Sequence, residues 1–170
     1  VPYCVLLENS DNESEVHARA RFEALLETAF ESGCVSDAVV AENLAQAHQL
    51  WHVRESIPLA QAEEGLNIKH DISIPVSRIP TFVAETDALL EREMPGVRLV
   101  NFGHLGDGNL HYNVQAPEGT HKADFLRDHE ARINTLVYEA VRQFEGSFSA
   151  EHGVGSLKVE TLEKHKSPVA

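Results

Sequence analysis

Apolar positions along this chain switch repeatedly between a spacing of two and a spacing of three to four, the pattern of strands alternating with amphipathic helices. Pro2 to Glu8 reads as a first strand. Ser10 and Glu13 stand at capping-box spacing ahead of a helix running to about Ser32 and stopped by Gly33. Val16, Ala20, Leu25, Leu26 and Phe30 form the stripe that this helix is expected to bury. Val35 to Ala41 is a short β-rich run, and Asn43 caps a second helix with Leu44, Ala47, Leu50 and Trp51 on one face. Arg54 follows Trp51 by one turn and so shares that face. Ile57 and Pro58 bend or end the helix, because the residue before proline is pushed out of the α region.

From Leu66 to Ile74, Ile68, His70, Ile72 and Ile74 alternate with Lys69, Asp71 and Ser73, which gives a strand with one mostly apolar face and one that offers Lys69. A third helix spans about Ser77 to Glu93, with Ile79, Phe82, Val83, Leu89 and Leu90 inward and Pro95-Gly96 behind it. Val97 to Val114 reads as two strands around Gly106-Asp107-Gly108. A long helix from about His121 to Phe144 ends at Gly146, Ser147 to Glu151 is a further strand, and Val154 to His165 a final short helix. This order predicts an α+β fold: a mainly antiparallel sheet with helices packed on one face, arranged as duplicated ferredoxin-like halves.

With 170 residues the chain is long enough for a real core and too short for two full catalytic domains. Hydrophobic residues make up 42% and charged residues 24%, an ordinary globular mix. Fourteen basic residues against 27 acidic ones give a net charge of −13, which argues against nucleic acid or an anionic lipid surface as partner. A small anion would need a local cationic pocket or a metal. The sequence has no apolar run of membrane-spanning length and no leader pattern, so a cytoplasmic or matrix-like compartment is expected. Cys4 and Cys34 lack metal spacing and read as two buried thiols.

The chemistry concentrates in Asn101-Phe102-Gly103-His104-Leu105-Gly106-Asp107-Gly108-Asn109-Leu110-His111-Tyr112-Asn113. If Asp107 and Gly108 are the two central turn residues, Gly106 pairs with Asn109 and His104 pairs with His111. Cross-strand partners stand about 5 Å apart and point to one face, close enough for two imidazoles to bind one ion. Phe102 and Asn113 come next on that face, and Asp107 is explained by turn chemistry. His17, His48, His121, His129 and His165 read as ordinary surface or core residues. A second segment, Ser149-Ala150-Glu151-His152-Gly153-Val154-Gly155, could complete a His/His/Glu metal set and leave His152 free as a base. That requires the strand to break, because consecutive strand residues point to opposite faces. Arg54 on an apolar helix face fits either a substrate carboxylate or a structural ion pair, and Lys69 either a ligand or a solvated strand residue.

Taken together, Gly103-His104-Leu105-Gly106-Asp107-Gly108-Asn109-Leu110-His111, Glu151-His152-Gly153-Val154-Gly155 and the weaker Trp51-His52-Val53-Arg54-Glu55 resemble the C-terminal (cap or substrate-binding) domain of the FAD-linked oxidases. That family includes D-2-hydroxyglutarate dehydrogenase, D-lactate dehydrogenase and glycolate oxidase. The resemblance spans nearly all of residues 1–170 as one such domain. It implies that His104, His111 and Glu151 hold a divalent metal, zinc first and manganese second. It further implies that His152 is the general base and that Arg54, Lys69 and Asn113 bind substrate. Pro58 departs from the hydroxyl-bearing residue of some hydroxyglutarate-specific members, whereas Lys69 suits a second substrate carboxylate.

The family's FAD-binding domain precedes this one and is absent here, as is its terminal Asp-Pro…Asn-Pro-Gly-Lys segment. The chain is therefore expected to be inactive alone. Its expected partners are that FAD-binding domain, a small 2-hydroxy acid and an electron acceptor that the sequence does not identify; a homodimer stays open. Cytoplasm in a bacterium or mitochondrial matrix in a eukaryote follows. Two other classes stay open: a metal-dependent hydrolase using the same three ligands, and a non-catalytic ferredoxin-like ligand-binding module.

Overall fold

The structure, a computed structural model, describes residues 3–152 together with Val154 and Leu162. The chain divides into two compact units, Val1–Gln61 and Ala62–Ala170.

The first unit is built on helices. Helix α1 covers Glu15–Glu31, α2 covers Leu44–Glu55, and α3, Ile57–Glu64, begins here and runs into the second unit. Asn43 caps α2 as expected, its side chain accepting from the Gln46 amide. Pro58 falls in the first turn of α3, where its missing N–H costs nothing, so the Ile57-Pro58 pair starts a new helix behind α2. Helix α1 starts later than the Ser10–Glu13 spacing predicts. Ser14 is the cap, accepting from the His17 amide at 3.1 Å, while Asp11 takes the Glu13 amide at 2.7 Å and turns the chain before the helix. Gly33 ends α1 with φ of 72°, the left-handed step expected of it.

Three further expectations for this unit fail. Among the described residues, neither 3–8 nor 35–41 forms a strand: neither run has a ladder partner, and a β-rich run becomes a strand only by pairing. The apolar stripes of α1 and α2 are not buried among the described residues; Val16 is 79% exposed and Leu44 78%. Cys4 and Cys34 are exposed free thiols, not buried ones.

The second unit is α+β. Strands β1 (Asn67–Ser73), β2 (Arg98–His104) and β3 (Asn109–Gln115) form one antiparallel sheet in the order β1-β3-β2. Helices α4 (Ile79–Glu93) and α5 (Lys122–Gln143) complete it. The period of two in β1 places Ile68, His70 and Ile72 in the core. Tyr112 and Val114 of β3 join them, fully buried, with Phe82 and Leu90 of α4 and Ile133 and Val137 of α5. His70 is a core residue: its ring nitrogens lie 2.8 Å from the Tyr112 carbonyl oxygen and 2.8 Å from Asn134 Oδ1. The Tyr112 hydroxyl donates to Asp87 Oδ1 at 2.6 Å, pinning β3 to α4.

The antiparallel sheet and the helices agree with the expected class, but the duplicated ferredoxin-like halves are not seen among the described residues. A second half would need the strands expected at Pro2–Glu8 and Val35–Ala41. The strand expected at Ser147–Glu151 reduces to one bridge between Ser73 and Ser147, after which the chain bends through residues 149–152. The final helix expected at Val154 to His165 lies outside the described residues apart from Val154 and Leu162.

Candidate metal and substrate site

Because side chains alternate across a strand, residues out of step with the core line the other face of the sheet. Three rungs cross that face from β1 through β3 to β2. Asp71, His111 and Phe102 form one, Lys69, Asn113 and Val100 the next, and Ser73, Asn109 and His104 the third.

The hairpin between β2 and β3 is not the two-residue turn expected from Asp107-Gly108. Residues 105–108 make a four-residue loop with a 3-10 turn, closed by the Gly108 amide on the Leu105 carbonyl at 3.2 Å. Asp107 Oδ1 accepts from the Asn109 amide at 3.2 Å, the side-chain turn role assigned to it. Gly108 sits at φ of 77° with the Ile74 carbonyl oxygen where a Cβ would stand, so only glycine fits. The longer loop slides the register by two: His104 pairs with Asn109, and His111 with Phe102. An even slip keeps every side chain on its face, so His104 and His111 still share one, as diagonal neighbours. The Phe102 ring lies against the His111 imidazole, centroids 4.8 Å apart.

Glu151 reaches this face from the bend at residues 149–152. Its two carboxylate oxygens lie 3.9 Å from His104 Nε2 and 3.9 Å from His111 Nε2 respectively. Donors around a four-coordinate zinc, bonded at about 2.0–2.1 Å, stand roughly 3.3 Å apart, so each histidine is near reach of Glu151, but on different oxygens, and His104 lies outside the set of mutually close ligand atoms. Two imidazoles and one carboxylate suit zinc or manganese and leave positions open for a substrate. Beside them Asn109 Oδ1 is buried with no hydrogen-bond partner among the described residues, a spare acceptor that a bound ion with its water would satisfy. In donor chemistry these residues fit a divalent ion, and His111 and Glu151 are the part of the set that also lies in a group of mutually close ligand atoms.

Asp71 was not singled out by the sequence, yet among the described residues it is Asp71, His111 and Glu151, without His104, whose ligand atoms all lie within 4.8 Å of one another. Asp71 Oδ1 lies 4.0 Å from His111 Nδ1 and Oδ2 accepts from the amides of Ala150, Glu151 and His152 at 3.3, 3.0 and 3.0 Å. Burial pushes the Asp71 carboxyl up, but the amides of His152, Glu151 and Ala150 and the nearby His111 ring outweigh it and hold the group below its ordinary value. The alternation of Lys69, Asp71 and Ser73 already put Asp71 on the polar face. What the sequence lacked was the register that sets it opposite His111.

Of the other expected site residues, Lys69 is exposed and directly opposite the buried Asn113, one rung from His111. His152 is exposed and follows Glu151 in the bend. Arg54 belongs to the first unit, half-buried in the last turn of α2.

Residues 2–170 match the family described as FAD linked oxidases, C-terminal domain. The chain belongs to the FAD-linked oxidase family. Its second unit supplies that domain with a polar sheet face carrying His104, His111, Lys69 and Asn113. The chain is 43% identical over 161 residues to a D-2-hydroxyglutarate dehydrogenase of Xanthomonas citri pv. viticola, covering 95% of the chain and 33% of that protein. It is 38% identical over 167 residues to one from Stutzerimonas stutzeri, covering 98% and 35% respectively. With the mitochondrial D-2-hydroxyglutarate dehydrogenase of Arabidopsis thaliana it shares 37% over 166 residues, 98% of the chain and 28% of that protein. The chain thus spans about a third of the length of these relatives. Among the described residues no helix of this FAD-linked oxidase domain is long and apolar enough to cross a membrane.

Proposed function

We propose that this chain is the metal- and substrate-binding domain of an FAD-dependent dehydrogenase that oxidises a D-2-hydroxy acid, of D-2-hydroxyglutarate type, to the 2-oxo acid. The observation that supports this reading is that Glu151 lies 3.9 Å from His104 and 3.9 Å from His111, with the Lys69–Asn113 pair one rung away. A bound divalent ion, zinc or manganese, would supply Lewis acidity that lowers the pKa of the substrate hydroxyl, and FAD held by a preceding domain would supply the two-electron acceptor. His104, His111 and Glu151 hold the ion. His152 takes the hydroxyl proton as general base, and Arg54 orients a carboxylate through its planar fork.

The spacing of the rungs supports a diacid as substrate. Two residues along a strand advance about 6.8 Å, which separates the His111 rung from the Lys69–Asn113 rung. A five-carbon diacid spans about 5 Å between its carboxyl carbons when extended, at about 1.5 Å per C–C bond, and its carboxylate oxygens add the rest. A diacid bound by its hydroxy-acid end at the histidines therefore presents its far carboxylate to Lys69 and Asn113. Lactate, with one carboxylate, stops short of that rung. Family membership and the names of the relatives favour this flavoenzyme reading over the hydrolase and over the non-catalytic module. The remaining partners are an unidentified electron acceptor and, in place of nucleic acid, small anions. The compartment follows the host: cytoplasm in a bacterium, mitochondrial matrix in a eukaryote, as in the relatives named mitochondrial.

The test is dye-linked turnover of the longer polypeptide carrying this chain together with its FAD-binding domain, with D-2-hydroxyglutarate and D-lactate as substrates. Flavin reduction by the diacid, abolished in His152→Ala with metal content unchanged, is the expected result. Unimpaired turnover in that variant contradicts the base assignment, and no flavin reduction by either acid contradicts the substrate class.

A further inference from the structure

Glu151 and His152 have to be held still to act together, yet among the described residues the segment that carries them has no ladder of its own. Beyond the single bridge from Ser73 to Ser147, its internal ties among the described residues are Ser147 Oγ donating to the Ser149 carbonyl at 2.9 Å, the Ser149 amide donating to Ser147 Oγ at 3.4 Å and Ser149 Oγ donating to the His152 carbonyl. Among the described residues, the backbone of 150–152 is tied to the sheet through one oxygen. Asp71 Oδ2 receives three consecutive amides, those of Ala150, Glu151 and His152, at 3.3, 3.0 and 3.0 Å. Successive N–H groups converging on one anion form a backbone nest, here closed around a side chain of the same protein. Asp71 itself is rigidly placed, between His70 and Ile72, which are 1% and 0% exposed.

The other carboxylate oxygen faces β3. Asp71 Oδ1 is 3.4 Å from Asn109 Nδ2, which donates to it, and 4.0 Å from His111 Nδ1. His111 therefore presents opposite sides of its ring to two carboxylates, with Nδ1 toward Asp71 and Nε2 toward Glu151. Metal-binding histidines are commonly oriented in this way by a carboxylate behind the ring.

We propose that Asp71 is the positioning residue of this site: its carboxylate holds the 150–152 backbone in place and sets the His111 ring so that Nε2 meets Glu151. Asp71 does so as a partner of the donors rather than as a donor to the ion, because Oδ2 is taken by three amides and Oδ1 lies on the Nδ1 side of His111. The proposal deepens the metal-site reading and, for its His111 part, rests on it.

The experiment uses the 170-residue chain, wild type and with Asp71→Ala, Asp71→Asn and His111→Ala. Amide hydrogen exchange is measured without metal, and zinc chloride titrations follow by calorimetry. In the metal-free chain Asp71→Ala is expected to speed exchange at residues 150–152 by about tenfold or more, while the amides of Tyr112 and Val114 keep wild-type protection. His111→Ala, which removes a donor and leaves the nest intact, is expected to leave exchange at 150–152 unchanged. Zinc affinity in Asp71→Ala is expected to fall about 10- to 100-fold with the thermal midpoint little changed. Asp71→Asn, which keeps one carbonyl acceptor for the amides, falls between. Unchanged exchange at 150–152 in Asp71→Ala overturns the proposal, and so does loss of protection spread equally over the sheet. Zinc affinity within about twofold of wild type overturns the His111 part. If the wild-type chain binds no zinc, it is the metal reading that fails, and the metal-free exchange still decides whether Asp71 holds the segment.

Discussion

Tyr112 lies between His111 and Asn113 in sequence and points the opposite way, its ring fully buried and its hydroxyl 2.6 Å from Asp87 Oδ1 on α4. Replacing it with phenylalanine keeps the ring and removes only that bond. Hydrogen bonds to a charged group contribute about 1.5–3 kcal/mol, and among the described residues Asp87 would keep only the longer contact from Asn101 Nδ2 at 3.4 Å. Tyr112→Phe is therefore expected to lose about 1.5–3 kcal/mol at pH 7, read from urea unfolding followed by circular dichroism.

Burial, with the Asp87 carboxylate beside it, pushes the Tyr112 hydroxyl far above its ordinary value of 10.0. A group raised in the folded state stabilises fully below its unfolded pKa, and that contribution is lost as pH rises, because the unfolded chain ionises first. Above pH 10 the wild type accordingly loses about 1.4 kcal/mol per pH unit through this residue, and the phenylalanine variant does not. The gap between the two proteins should narrow from pH 9 to pH 11. A variant as stable as wild type at pH 7, or a gap that stays constant through that range, refutes the reasoning.

Gly108→Ala and Gly119→Ala both place a Cβ at positive φ, 77° and 76°, but only the first meets a neighbour, the Ile74 carbonyl. Gly119→Ala should cost about 1–2 kcal/mol and Gly108→Ala clearly more, with looser zinc binding; equal losses in urea unfolding would show that the Ile74 contact does not matter. In the longer polypeptide, Lys69→Ala should raise KM for a five-carbon 2-hydroxy diacid about tenfold or more while changing KM for D-lactate little, since only the diacid reaches that rung. An equal change for both acids would remove Lys69 from the far-carboxylate site.

The alternation in β1 and the periodicity of α4 and α5 were legible because each buries one face against the others, so burial and pattern express the same constraint. Helix α2 and its Asn43 cap were legible for a local reason, a side chain three residues from the amide it accepts. The hairpin register was not. Asp107-Gly108 satisfies a two-residue turn as well as the four-residue loop that forms, and which one wins depends on Gly108 packing against Ile74, a residue distant in sequence. Because the slip was even, His104 and His111 stayed on one face, and Phe102 and Asn113 with them. Two expected strands in the first unit failed for the opposite reason, that strand propensity carries no partner with it. Asp71 escaped because its importance lies in three amides about eighty positions away, which no spacing within β1 reveals.

The central claim is that His104, His111 and Glu151 form one divalent-metal site. The most direct test is elemental analysis of the purified 170-residue chain and its His104→Ala and His111→Ala variants, each incubated with zinc or manganese and then desalted. About one equivalent of metal in the wild type, lost in both variants, is the expected result. Metal retained at wild-type level in either variant, or none bound by the wild type, contradicts it.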